Sequence, residues 1–294
     1  MTATPADAPP RRLDAAAVDC VAQLLDCDFG RLPPGEGAVG NQFLLAALDR
    51  GEHERFVVWP GHDPDQGSSG DPQGLLYTAP TGTLVVAGVP AAGPALADAA
   101  ERSGWRVLIG AAEICDSLLD AYPRGLFHRR PAAREQRFMV AVPEAVGHEP
   151  VEGFRRARVG DVDRLTELAC RLHVEDQMGP PIPRSSRSAV RSRVLDIVSG
   201  GDAWVVERDG DIVAKVDLSL CSRRRGAQIA GVYVDAGSRG QGVGGGAVRT
   251  LARRLLDDGL PAVTLHVRAD NVPAIRAYRR AGFVDCGAWR LALR

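Results

Sequence analysis

Lysine is nearly missing from this chain: Lys215 is the only one, and every other basic residue is arginine. Aromatic residues make up only 5%. Neither sign of charge dominates, since 36 Lys and Arg face 37 Asp and Glu for a net charge of −1. That balance excludes a global basic field for nucleic acid or an anionic membrane. No apolar run approaches the roughly 20 residues a membrane-spanning helix needs. The opening "MTATPADAPPRR" lacks the apolar core of a signal peptide. The six cysteines contain no C-x-x-C pair, and no His/Cys cluster has zinc-like spacing, so no metal is expected. Scattered cysteines in a long chain fit a reduced, cytoplasmic protein.

What is present is ordinary globular material: 294 residues, 45% apolar and 25% charged, enough for one large or two ordinary domains. Residues 1–12 are Pro/Ala-rich and read as a disordered tail, and Pro60–Gly74 as a loop. "PEAVGHEPVEG", residues 143–153, reads as the linker between two domains.

Behind that linker the pattern is clear. A short strand leads into a helix opened near Asp161, and a second helix ends at Gly200. "AWVVERDGDIVAKVDLSL" reads as a β-hairpin, its Asp209-Gly210 pair a strong turn signal. "AQIAGVYV" is the next strand. "VGGGAVRTLARRLLDDG" is helical, with Val248, Leu251, Ala252, Leu255 and Leu256 at 3/4 spacing. A strand, a helix and a final strand complete the half.

The front half repeats part of that order. A helix is expected over 14–25, strands at 56–59, 74–78 and 83–87, a helix at 94–103, a strand at 105–109, a helix at 113–122 and a strand at 137–141. A tandem repeat of one fold follows from the shared order.

The densest glycine cluster is "SRGQGVGGGA", Ser238–Ala247, between a strand and a helix. Backbone N–H groups at a helix start have no internal partners and sit at the positive end of the helix dipole. Glycines let a phosphate approach them closely. The loop lacks the lysine and Ser/Thr of a Walker motif, and it follows antiparallel strands, unlike a dinucleotide fingerprint.

Arg239-x-x-Gly242-x-Gly244 after an apolar strand, with Asn271, Ala274, Tyr278, Gly282 and Phe283 downstream, resembles the GNAT superfamily of acyl-CoA-dependent N-acyltransferases. The likeness covers about residues 154–294. The whole layout also resembles actinobacterial two-domain proteins of that superfamily. It implies an α/β fold of tandem GNAT-like domains, each a mixed, mostly antiparallel central sheet flanked by helices. The domains would be a divergent one at 13–142 without a coenzyme A site and a catalytic one at 154–294.

The resemblance also implies roles. Arg239 and the backbone of Gly240, Gln241, Gly242, Val243, Gly244 and Gly245 would hold the pyrophosphate of acetyl-CoA. The backbone of Val232, Tyr233 and Val234 would pair with the pantetheine arm, with Asn271 and Tyr278 completing the site. Tyr278 would protonate the leaving thiolate. Gly231 would mark a bulge that opens the sheet. Family members often carry a glutamate eleven residues before the arginine; here that position is Gln228, which cannot accept a proton at neutral pH. The base is then sought among Asp217, Glu175 and Asp176. Strand alternation puts Lys215, Asp217 and Ser219 opposite Ile212, Ala214, Val216 and Leu218, which fits a solvent-facing strand face as well as a catalytic one.

The segment 175–187 would line the acceptor pocket, and 223–225 is a solvated turn. In the front half, Pro90 and Pro94 remove N–H donors at the matching turn. The expected partner is an amine-bearing small molecule, the expected state a monomer or homodimer, and no nucleic acid or membrane is involved. The rival readings are an aminoacyl-tRNA-dependent transferase of the same fold and a non-catalytic acyl-CoA sensor.

Overall fold

A computed structural model describes residues 9–60, 71–122 and 131–294. Most of the expected tail (1–8) and most of the expected loop (61–70) lie outside the described residues. The end of the tail differs from expectation, because Arg11–Arg12 form a short strand, β1, antiparallel to Val57–Val58.

The element order repeats. The first half runs β1, α1 (Val18–Asp26), α2 (Gln42–Asp49), β2 (Phe56–Trp59), β3 (Gly74–Thr78), β4 (Thr83–Gly88), α3 (Gly93–Arg102), β5 (Val107–Ala111), α4 (Ala112–Asp120) and β6 (Ala132–Ala141). The second half runs β7 (Phe154–Arg156), α5 (Val162–Glu175), α6 (Arg187–Ser199), β8 (Ala203–Arg208), β9 (Asp211–Ser222), β10 (Gly226–Val234), α7 (Val243–Asp257), β11 (Val263–Arg268), α8 (Val272–Arg280) and β12 (Phe283–Leu293). Helix α2 was not expected. Its sequence, QFLLAALD, is buried on nearly every side, so it shows no polar face from which a helical period could be read.

Two compact units form. The first holds the described residues up to Arg137 together with Gly287–Arg294; the second is Phe138–Cys286. These bounds differ from a division at 143–153. Residues 143–153 belong to the second unit and are strapped along α7. Val151 N–H donates to Thr250 Oγ1 at 2.9 Å, Arg253 donates to the Pro143 carbonyl, and Val146 is buried. The last strand crosses over as well: its residues 289–293 pair antiparallel with β5 in the first unit.

Within the first unit β2, β3 and β4 are antiparallel neighbours and β4 runs parallel to β5. Alternate residues serve two cores. Leu75, Tyr77, Val85 and Ala87 pack with Leu25, Leu44 and Leu45 from α1 and α2. Leu76, Leu84 and Val86 pack with Leu96, Ile114 and Leu118 from α3 and α4. With both faces covered, the strands read as continuous apolar runs.

The second unit follows the same plan. The Asp209-Gly210 turn takes φ of 50° and 83° and joins β8 to β9 as a two-residue hairpin. Ala214, Val216, Leu218, Ala227 and Ile229 face α7 and α8. On the α5/α6 side the apolar contribution of these strands shrinks to Ala203, Val205, Ile212 and Tyr233; Ile212, expected to share a face with Ala214, falls here because the β8–β9 register shifts between Val206 and Glu207. Lys215, Asp217, Ser219 and Gln228 make the rest of that face polar, and the candidate site is built there.

Candidate active site

The glycine loop leaves β10 through a short 3-10 turn, Ala236–Ser238, and enters α7 at Val243. Asp235 fixes the exit: it accepts from Arg164 at 2.8 Å and Arg171 at 2.7 Å, both on α5. Gly240 and Gly242 take φ of 76° and 79°, and an added Cβ at either would meet nothing within 4 Å. The Gln241 side chain accepts from Arg208 and donates to the Gly237 carbonyl. The α7 ladder begins with Gly246 N–H on Gly242 O at 2.9 Å. The N–H groups of Val243, Gly244 and Gly245 are therefore left over at the helix start. Gly242 has no side chain to cap them, and the first turn holds no acidic residue. The partial positive charge of the helix end is not neutralised.

Arg239 is not extended over this loop. Its Nη2 donates to Glu175 Oε2 at 2.7 Å, its Nε donates to the Val234 carbonyl at 2.9 Å, and its guanidinium lies 5.3 Å from the Tyr233 ring centre. Glu175 accepts on its other oxygen from the Tyr233 hydroxyl at 2.8 Å. Both oxygens of Glu175 are thus engaged, and the Glu175 backbone carbonyl accepts from Arg268 at 2.9 Å. This geometry makes Glu175 a clamp between the end of α5 and the loop rather than a free base.

β10 pairs with β11 only over Ala227, Gln228 and Ile229. Beyond Ile229 the two strands part. On the other side β10 stays with β9, but its register shifts between Ala230 and Tyr233. Gly231, with φ of 56°, lies in that bulge. Tyr233 sits opposite Lys215, and Asp235 N–H donates to the Val213 carbonyl, so amides of that phase face β9. The intervening Val232 and Val234 present their N–H groups to the opened edge.

Lys215 bears on the two readings left open for its strand face. Far from facing solvent, it is only 2% exposed. Its Nζ donates to Asp217 Oδ2 and, at 2.9 Å, to the Gly231 carbonyl. This end of the strand face is closed off on the side of α5 and α6, while Ser219 further along it is exposed. Burial raises the Asp217 pKa, and the Lys215 charge opposes that rise. Beside the pair, Ser219 donates to Gln228 Oε1 at 2.8 Å, leaving the Gln228 amide N–H₂ to donate elsewhere.

Asn271 caps α8: its Oδ1 accepts from Ala274 N–H at 3.2 Å, with Pro273 in the first turn. The cap fixes the helix that carries Tyr278. Tyr278 is buried with Val243, Ile275 and Phe283, and its pKa is raised by burial with the Asp176 charge adding to the effect. At neutral pH its hydroxyl is protonated.

Sequence reasoning missed two features of the site. The Glu175–Arg239 pair joins residues 64 positions apart, which no local pattern reveals. Burial of Lys215 was hidden because alternation tells which residues share a face, not what covers that face. The isolated lysine was the available signal. Among the described residues no group of three or more His, Cys, Asp or Glu is placed to hold a metal ion, and no described helix is long and apolar enough to cross a membrane.

Comparisons with known proteins bear on this arrangement. The family model described as "Acetyltransferase (GNAT) family" matches residues 168–283. A streptothricin acetyltransferase of Streptomyces lavendulae is 35% identical over 161 residues, 48% of this chain and 85% of the relative. A mycothiol acetyltransferase of Brachybacterium faecium is 44% identical over 63 residues, 21% of this chain; the chain spans only 19% of that relative's length. Among solved structures, a GCN5-related N-acetyltransferase from Sphaerobacter thermophilus shares the fold over 97% of this chain and 94% of its own, with a TM-score of 0.61 at 17% identity.

Proposed function

The chain belongs to the acetyltransferase (GNAT) family, and we propose that its second unit transfers an acetyl group from acetyl-CoA to the amine of a small molecule. The observation that carries this reading is the coincidence of two openings on one strand: β10 parts from β11 after Ile229, and an uncapped helix start follows immediately. The residues fit an extended thioester with a pyrophosphate at one end. The N–H groups of Val243, Gly244 and Gly245 receive the pyrophosphate, and positive φ at Gly240 and Gly242 keeps side chains out of its way. Arg239, held by Glu175, shapes the loop and adds positive charge nearby. Val232 and Val234 pair with the pantetheine arm as a neighbouring strand would.

Acetyl-CoA supplies an activated acyl group; the chain supplies the orientation and the protons. Val232 N–H donates to the thioester oxygen, where negative charge grows as the amine attacks. Removal of one such donor typically costs about 10²–10³ in rate. Asp217 is the proton acceptor this geometry favours: one oxygen is held by Lys215, and the side chain retains 16% exposure. Gln228 holds the acceptor or a water through its free N–H₂. Tyr278 returns a proton to the departing thiolate. The small-molecule acceptor is supported by the two relatives, which are named for mycothiol and streptothricin.

The test is thiol release from acetyl-CoA across a panel of small amines, followed as a function of pH. Protonated Asp217 cannot accept a proton, so kcat/KM falls as pH drops through its raised pKa, and Asp217→Asn removes that acidic limb. Binding of acetyl-CoA without turnover of any amine would instead favour a non-catalytic sensor.

A further inference from the structure

The only lysine in the chain is spent on a buried contact beneath the β10 bulge. A buried ion pair is weak evidence for stability, because well-packed apolar residues usually serve as well. The first unit shows that alternative: its face toward α1 and α2 is filled by Leu75, Tyr77, Val85 and Ala87. The Lys215–Asp217 pair calls for another reason, and its contacts supply one.

Lys215 Nζ donates to the Gly231 carbonyl at 2.9 Å. That carbonyl belongs to the same peptide unit as the Val232 N–H. A trans peptide is planar, so its C=O and N–H point in opposite directions. Fixing the carbonyl on the Lys215 side fixes the N–H on the other side, away from β9. A charge-assisted bond to the carbonyl also polarises the peptide and strengthens its N–H as a donor. Asp217 holds the ammonium in place, and the fit is tight: a Cβ on Gly231 would lie 2.5 Å from Asp217 Oδ2 and 3.0 Å from Lys215 Nζ.

We propose that Lys215 is a positioning residue that aims and polarises the Val232 N–H toward the acyl carbonyl. The inference rests on the acetyl-transfer reading above. It separates Lys215 from acetyl-CoA itself: the ammonium acts through one peptide bond and touches no substrate.

The experiment compares Lys215→Met with Lys215→Gln. The first removes both donor and charge, and the second keeps a donor. Turnover is expected to fall by about tenfold or more in Lys215→Met and by less in Lys215→Gln. Affinity for free CoA, which has no acyl carbonyl, stays within about threefold. The direct readout is the infrared band of acetyl-CoA labelled with ¹³C at the acyl carbonyl. The unaltered protein shifts it to lower frequency on binding, and Lys215→Met reverses part of that shift. Should Lys215→Met fail to fold with Asp217 left unpaired, Lys215→Met/Asp217→Asn removes both buried charges, and the band is read without turnover. An unchanged band in these variants overturns the inference alone, as does loss of CoA affinity in step with turnover. Failure of the unaltered protein to bind acetyl-CoA sinks the functional reading and this inference together.

Discussion

In the first unit β4 stays paired with β5 as far as Val86 and passes through Pro90–Ala92 into α3. In the second, β10 leaves β11 at Ile229 and passes through Gly240 and Gly242 into α7. These are the same strand and helix of two repeats. At the start of α3 a Cβ on Gly93 would lie 2.6 Å from Leu118 N and 2.7 Å from Ser117 Oγ, so α4 already fills that space. Pro90 and Pro94 remove two N–H groups there. Just before α7, a Cβ on Gly240 or Gly242 would meet nothing within 4 Å, and no proline intervenes. The sheet faces differ in the same sense, Leu75 and Tyr77 in one against Lys215 and Asp217 in the other. One fold thus serves twice: once closed by packing, once held open by polar groups that cost stability.

Two tyrosines give the sharpest way to break the comparison. Tyr278→Phe should lower kcat by about 100-fold with little effect on KM, since a general acid contributes about 10²–10⁴. Unchanged turnover would remove Tyr278 from the mechanism. Gly242→Asp comes next. A carboxylate at the α7 start competes with the pyrophosphate, and acetyl-CoA affinity should fall by about 100-fold in calorimetric titration. The residue at φ 79° should cost only about 1–2 kcal/mol of stability.

The first unit should answer in the opposite currency. Gly93→Ala should destabilise by about 1–3 kcal/mol in denaturant unfolding and leave acetyl-CoA affinity alone. Tyr77→Phe, which removes the donor to Glu52, should cost about 1–2 kcal/mol with turnover intact. A fall in kcat from either would mean that the first unit takes part in the chemistry.

The smallest effect separates two glycines that look alike. Both Gly245 and Gly246 exceed the loop motif, and alanine at each should favour the helix by about 1 kcal/mol. A Cβ on Gly246, however, would meet Val151 Cβ at 3.0 Å, whereas one on Gly245 meets Ala277 at an ordinary 3.4 Å. Gly245→Ala should therefore stabilise by up to about 1 kcal/mol. Gly246→Ala should gain little or nothing.

The second repeat was legible because its signals are local. The Asp209-Gly210 turn, the 3/4 spacing on α7, and the Gly and Asn positions of the loop and of the α8 cap each lie within a few residues. What escaped is carried by contacts distant in sequence or by uniform burial. Helix α2 hides because it has no wet side. Residues 143–153 have a linker's composition, yet Val146 and Val151 bury apolar surface against the helix they cross. The exchange of Gly287–Arg294 into the first unit leaves no trace in composition, since a strand reads the same whichever partner it pairs with.

The central claim is that only one of the two repeats receives acetyl-CoA, at the start of α7. Calorimetric titration of the intact chain tests it most directly. One acetyl-CoA per chain is expected, with that single event lost in Gly242→Asp and retained in Gly93→Ala. Two binding events per chain, or one that survives Gly242→Asp, would contradict it.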